Sequence, residues 1–396
     1  MKKEEVKLML NHRMKKRIMT VIAVIGVMLA IMGCSPQRGM EGMSAPAAEP
    51  SPMPAEPAVK TPGKVEPELR YTLMITHSKS DYISFTDGEK GITDKVTAGA
   101  FPFGIALDET RRRAYVSTAE GVAVMDTKLH KRLALVPYES HIKEIKFGEY
   151  RPGGMGIAVS SDGRYVYVGV YLPGQPSRLE IMDTEKLAMT GSVPVGIRPF
   201  DVAVSHDGSE VYSIDHDSYT VTIVNPQKLT ARQVKAAPFG TGGGGFEKPH
   251  YAIVREDGRL LLPYQGRGLV VLDPAAGTSE TEPLTGNTHQ EGVSLTPDGK
   301  KMLIVGNGAA GSATGKPNLT VLDIGTMEER IIPLDRPHQM AASSPDGRLA
   351  YLTGGVTLTG TGWDGLTVVD FSDGTSRELA LPDLPLDIAV IKESQN

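Results

Sequence analysis

An all-β fold, a seven-bladed β-propeller, is what this chain predicts, on three observations. Seven apolar strands close on an Asp or Asn, at Asp87, Asp126, Asp183, Asn225, Asp273, Asp323 and Asp370, in steps of about 39 to 57 residues. That period suits one four-stranded sheet per repeat, arranged radially. Tight turns recur at Asp162-Gly163, Asp207-Gly208, Asp257-Gly258, Asp298-Gly299 and Asp346-Gly347, where Asp and Gly supply the backbone freedom a turn needs. Finally, Pro385-Leu386-Asp387-Ile388-Ala389-Val390 reproduces Pro199-Phe200-Asp201-Val202-Ala203-Val204 and then the chain stops, whereas the first unit, starting near Tyr71, lacks a Pro-led inner strand. The C-terminal strand is therefore expected to complete the first blade, which leaves no raw sheet edge at the join.

Within each repeat four pieces follow in order. A Pro-led strand of apolar and small residues leads into the turn. A Tyr- and Val-rich strand follows (Ala114-Tyr115-Val116-Ser117-Thr118; Tyr165-Val166-Tyr167-Val168), as a half-buried sheet requires. The third strand ends on the repeated Asp (Leu319-Thr320-Val321-Leu322-Asp323; Leu366-Thr367-Val368-Val369-Asp370), and a poorer fourth strand closes the unit.

These pieces resemble the repeats of YVTN-type β-propeller proteins. The closest stretch is Gly196-Ile197-Arg198-Pro199-Phe200-Asp201-Val202-Ala203-Val204-Ser205-His206-Asp207-Gly208, and the likeness covers about 330 residues. It implies the fold and carries no specific function. Two departures stand out: Asp108-Glu109-Thr110 replaces the Asp-Gly turn in the second unit, and the Thr-Asn element is degraded in most repeats.

Ahead of the ring, residues 1–33 read as a signal peptide whose true start is expected at Met14. Basic residues Lys15 to Arg17 precede an apolar run from Val21 to Met32, then Gly33 and Cys34; this is the order of a secretory signal, with a core too short for a comfortable membrane span. Ile31-Met32-Gly33-Cys34 resembles the lipobox of bacterial lipoproteins. The resemblance implies cleavage before Cys34, lipidation (palmitate) of that cysteine and an extracytoplasmic, membrane-anchored protein, in the outer membrane if the host is Gram-negative, since Ser35 and not Asp follows. The other reading is a free thiol in an ordinary signal peptide. Residues 34–67 hold prolines at 36, 46, 50, 52, 54, 57 and 62 with few branched apolar residues, the composition of an extended tether. Met40, Met43 and Met53 are soft thioethers that suit Cu(I), though methionine in such a linker is usually incidental. Residues 68–396 form the propeller.

Composition removes several functions. With Cys34 the only cysteine, the ring has no disulfide, no cysteine zinc site, no attached c-type haem and no thiol nucleophile. A net charge of −5 with both signs interspersed and no basic stripe argues against nucleic acid. No nucleophile elbow or paired carboxylates stand out, and no cofactor is required by the sequence. Gly240 to Gly245 is followed by no helix, and Gly315-Lys316 lacks the rest of a phosphate loop, so neither is read as an anion site.

Candidate binding residues are expected at one mouth of the ring. The segments Tyr171 to Pro176, Gly240 to Gly245, Gly306 to Pro317 and Gly354 to Gly365 are the longest connections and fall on one face, opposite minimal turns. A basic residue precedes proline at four inner strands, Arg151, Arg198, Lys248 and Arg336. Converging, they form a positive funnel for carboxylate or phosphate; otherwise each ties its blade to a neighbouring carboxylate or carbonyl. His250, His289 and His338 stand near the same strand starts, as candidate ligands for a divalent metal or as hydrogen-bonded channel residues; their registers differ by one residue each. Asp215-His216-Asp217 and His77 are expected to be solvated loop residues, and Trp363 to be either an exposed contact aromatic or a buried loop anchor. The reading that follows is a binding or scaffolding module for an envelope protein or polymer. The alternatives are a lactonase-like small-ligand enzyme and a metal or redox accessory protein.

Overall fold

Among the described residues, twenty-eight strands make seven antiparallel sheets of four, and the sheets stand around an axis as blades. The computed structural model describes residues 70–148, 150–239, 248–264, 266–286, 290–307, 316–355 and 362–393, all within one unit, Glu66–Asn396. Cys34, the tether, His289 and Gly240 to Gly245 lie outside the described residues. Among the described residues there is no helix.

Each blade packs both faces against neighbours, so its middle strands are buried on both sides, apolar residues and small hydroxyls alike. Tyr165–Tyr171 and Gly268–Asp273 are buried along almost their whole length, while outer strands such as Thr230–Lys235 are mostly exposed. The core is therefore a series of inter-blade layers. One joins Tyr115, Val122 and Val124 of the second blade to Ile157, Val166 and Val168 of the third.

The repeated Asp has a local cause. Asp126 Oδ1 accepts the N–H groups of Lys128 and Leu129 at 2.9 and 2.8 Å, and Asp183 Oδ1 those of Glu185 and Lys186, both at 3.0 Å; each carboxylate closes the turn into the fourth strand. The other turn is closed by a hydroxyl and a glycine. Ser160 Oγ donates to Asp162 at 2.6 Å and accepts Tyr165 N–H at 2.9 Å, while Gly163 takes φ 67°, where a Cβ is disfavoured. In the second blade, which lacks that glycine, Arg112 adopts φ 53° and Asp108 Oδ1 accepts Arg111 N–H at 3.0 Å.

The ring closes as expected. Pro385–Lys392 is the inner strand of the first blade and pairs with Tyr71–His77, with Met74 opposite Ala389 and Leu73 opposite Val390. This order sorts the connections by face. Those from outer to next inner strand and from second to third strand share one end of the axis, the loop face; the Asp-Gly turns occupy the other. The first strand, Tyr71–His77, rises from the short-turn end.

Candidate functional site

On the loop face, the turn after Val211–Asp215 carries the centre of the site. Asp215 is buried and accepts hydroxyls from Ser213, Thr220 and Thr222 at 2.7, 3.0 and 2.5 Å; burial pushes its carboxyl up to about 6. Fixed there, the turn directs His216 inward, where it stacks on Phe200 with ring centroids 5.0 Å apart. Its Nδ1 lies 2.8 Å from Asp217 Oδ1 and its Nε2 3.2 Å from Nε2 of His250. With Nδ1–H donated to the carboxylate, His216 Nε2 is the acceptor and His250 Nε2–H the donor. Burial holds His216 down at about 4, so it is neutral. Sequence reading placed Asp215 and His216 in solvent; both are buried, Asp215 among hydroxyls of its own hairpin and His216 between Phe200 and His250 of the next blade.

Asp217 also joins two blades. Lys248 Nζ donates to it at 2.6 Å and Arg198 Nη1 lies at 3.5 Å. Burial raises the Asp217 carboxyl, but hydrogen bonds from His216 and Lys248 and the charge of Arg198 outweigh it and hold the group well below the usual carboxylate range. Arg198 itself is fully buried in the left-handed region, φ 59°, between Tyr150 at 4.3 Å and Phe200 at 5.2 Å.

Of the four basic residues before proline, Arg198 and Lys248 thus meet. Arg151 does not join them. It is buried beside the Phe103 ring, 5.4 Å away, and donates to the carbonyls of Pro152 and Gly154 at 3.2 and 2.6 Å. Burial draws its pKa down to about 10. Arg336 is half-exposed, pairs with Glu378 at 3.1 Å and lies 4.8 Å over Trp363.

The histidines separate for the reason their registers imply. His250 turns to His216, whereas His338 is directed into its own blade, its Nε2 at 2.7 Å from Thr367 Oγ1. Burial lowers His338 to about 4. Among the described residues no group of three His, Cys, Asp or Glu side chains is placed to hold a metal ion. Trp363 is half-buried, donates Nε1–H to Pro337 O at 3.0 Å and meets His338 edge-on, which makes it an anchor for the loop before the seventh blade. His77 is likewise buried, bonded to Pro382 O and Ser84 Oγ.

One feature of this face escaped sequence reading. The connection between Lys131–Pro137 and Gly153–Val159 is long, and its start is pinned by buried Glu180, which accepts the N–H groups of Glu139 and Ser140 at 2.8 and 2.9 Å. It presents Ile145, Phe147 and Tyr150 to solvent, and Ile197 is exposed beside Arg198. Phe147 packs against Phe101 and Tyr150 covers Arg198, so the group spans the loops of three blades. A buried polar residue in an otherwise apolar third strand, Glu180, was the available signal.

No family model matches the chain, and no curated protein sequence is similar to it. Among solved structures it is similar to Kuenenia stuttgartiensis hydrazine synthase, with TM-score 0.54 and 16% identity over 78% of this chain and 92% of that one. It is similar to the periplasmic gluconolactonase PpgL of Pseudomonas aeruginosa, with TM-score 0.56 and 16% identity over 81% and 99%. The dihydro-heme d1 dehydrogenase NirN, solved in complex with DHE, gives TM-score 0.52 and 17% identity over 82% and 67%. Likeness at this identity shows the fold. The chain is a seven-bladed β-propeller protein.

Proposed function

We propose that this chain is an extracytoplasmic β-propeller of the YVTN-repeat type, lipid-anchored through Cys34, that binds a protein or polymer partner of the cell envelope through its loop face. The observation that carries the reading is the apolar group Ile145, Phe147, Tyr150 and Ile197, exposed on the face that also holds the long connections. Aromatic anchors on a rigid frame are the usual core of a binding surface.

Site-specific photo-crosslinking in intact envelopes tests this. A crosslinker at Phe147 or Ile197 is expected to capture a discrete adduct that one at Leu229, exposed on a short turn, does not. Equal capture from both faces, or none from the loop face, overturns it. Replacing Cys34 by Ser is expected to move the protein from the membrane to the soluble fraction.

The alternative, a lactonase-like enzyme at the mouth, draws support from one arrangement, the Asp217–His216–His250 relay. Its imidazoles are buried under Arg198 and Tyr150, which leaves little room for a substrate to reach them. Turnover of a lactone that is lost in His250→Ala with the fold intact would establish it.

A further inference from the structure

The axial channel holds a second site that does not depend on the loop-face reading. At its upper end the channel is narrowed by Phe103 and Phe200, edge to face at 5.7 Å, and by Tyr251 packed against Phe200. Below them is a cavity of about 400 Å³ whose wall runs down the inner strands to Leu295, Ser343 and Val390 at the short-turn end. The wall carries apolar side chains, Ile105, Ile157, Val202 and Ile388 among them, together with polar surface of comparable extent, and two carboxyl groups are part of it, Asp201 and Asp387.

These two acids occupy equivalent positions in the repeat, on blades four and one, three apart in a ring of seven. Each has both oxygens on backbone N–H groups. Asp201 accepts from Val202 and Ala252 at 2.8 and 3.0 Å, and Asp387 from Ile388 and Ile105 at 2.8 and 2.7 Å. Neither has a basic side chain as partner among the described residues. Both keep part of their surface open to the cavity, and burial pushes Asp201 up to about 6 and Asp387 up to about 7, with the Asp201 charge adding to the latter. Ser294 Oγ, buried on the same wall, also has no hydrogen-bond partner.

We propose that this cavity binds an aliphatic diamine-type dication, its ammonium ends on Asp201 and Asp387 and its methylene spacer against the apolar side chains of the wall. Two carboxyl groups on different blades of one cavity suit two cationic ends, and the apolar side chains that share its wall suit a hydrocarbon link between them. A divalent metal would compete for the same two carboxyl groups, and calcium is therefore one of the comparison probes.

The test is titration calorimetry and native mass spectrometry of the full chain, in detergent, with 1,n-diaminoalkanes of three to eight carbons. Hexylamine, 1,6-hexanediol and calcium chloride are the comparison probes. One diamine is expected to bind 1:1, with the monoamine roughly tenfold weaker for want of one charge-assisted contact and the diol silent. Asp201→Asn and Asp387→Asn are each expected to weaken the diamine roughly tenfold and to leave hexylamine closer to it, with thermal melts showing that the variants fold. No saturable diamine binding, equal binding of the diol, or calcium binding that excludes every diamine overturns the proposal. If the variants fail to fold, the wild-type ranking of diamine, monoamine and diol still decides it.

Discussion

The loop face and the axial cavity handle charge in opposite ways. At the loop face, cations and carboxylate are brought together: Arg198, Lys248 and His216 all address Asp217, and the group is sealed by aromatic rings. Inside the axial cavity, Asp201 and Asp387 have backbone N–H groups as their only hydrogen-bond donors among the described residues. A satisfied ion cluster holds blades together. A carboxyl group satisfied only by dipoles is left able to take a proton or a cation. Buried charge is thus paired with side-chain cations at the loop face and with backbone dipoles alone in the cavity.

The largest test of this contrast removes the strand that closes the ring and carries Asp387. Deleting the last twelve residues takes away the inner strand of the first blade and exposes Tyr71–His77 as a raw edge. We expect loss of the cooperative melt, not a frayed tail; an unchanged Tm would show that closure contributes nothing.

Next in size is Asp217→Ala, which takes the shared carboxylate away from Arg198, His216 and Lys248. Removing one partner of a buried ion pair costs about 3–5 kcal/mol, and the partial exposure of Asp217 places this case at about 3 kcal/mol or below. Urea denaturation should show it as a lower midpoint with an unchanged slope. A loss near zero would mean the cluster is solvated and the loop face open.

Trp363→Phe keeps the ring and deletes the bond to Pro337 O. The expected loss is about 1 kcal/mol, with an aromatic face still offered to Arg336. No change in stability would identify Trp363 as a contact residue and not an anchor.

The smallest expected signal is a difference of pH slopes. Asp387 and Asp201 bind their protons more tightly in the folded chain than in the unfolded one, so their contribution to stability is full below 3.8 and is lost as pH rises through about 6 and about 7. Buried His77, His216 and His338, held at about 4, act in the opposite sense: their contribution is present above 6.5 and is lost as pH falls toward 4. The two trends oppose each other in the wild type. In Asp387→Asn one acid is gone, so Tm of the variant minus Tm of the wild type should rise between pH 4 and pH 7. A flat difference would place Asp387 in bulk-like water.

Much of the architecture was legible in the chain because it repeats. Asp126 and Asp183 close turns through their own neighbours' N–H groups, and Ser160, Asp162 and Gly163 build theirs within six residues; local chemistry of this kind leaves a pattern at fixed spacing. The clasp was legible too, because Pro385 to Val390 copies Pro199 to Val204. The site was only partly so. Arg198, Lys248 and His250 were singled out as mouth residues, yet their meeting with His216 and Asp217 depends on blade rotation and strand register. Asp201 and Asp387 were visible as members of the copied segment, but nothing in the segment says that they face a cavity. Burial of His216 and the pinning of the 138–152 connection by Glu180 likewise depend on residues about forty positions or less apart that only the sheet brings together.

By itself, then, the sequence determined the all-β class, the count of blades, the turn chemistry and the closing strand, since each rests on hydrogen bonds and apolar patterns within one repeat or between two copies of it. Only the tertiary structure decided which charges are neutralised and which remain open, because the field at a buried group is set by side chains and N–H groups of neighbouring blades, distant in the chain and brought within a few ångströms by closure of the ring.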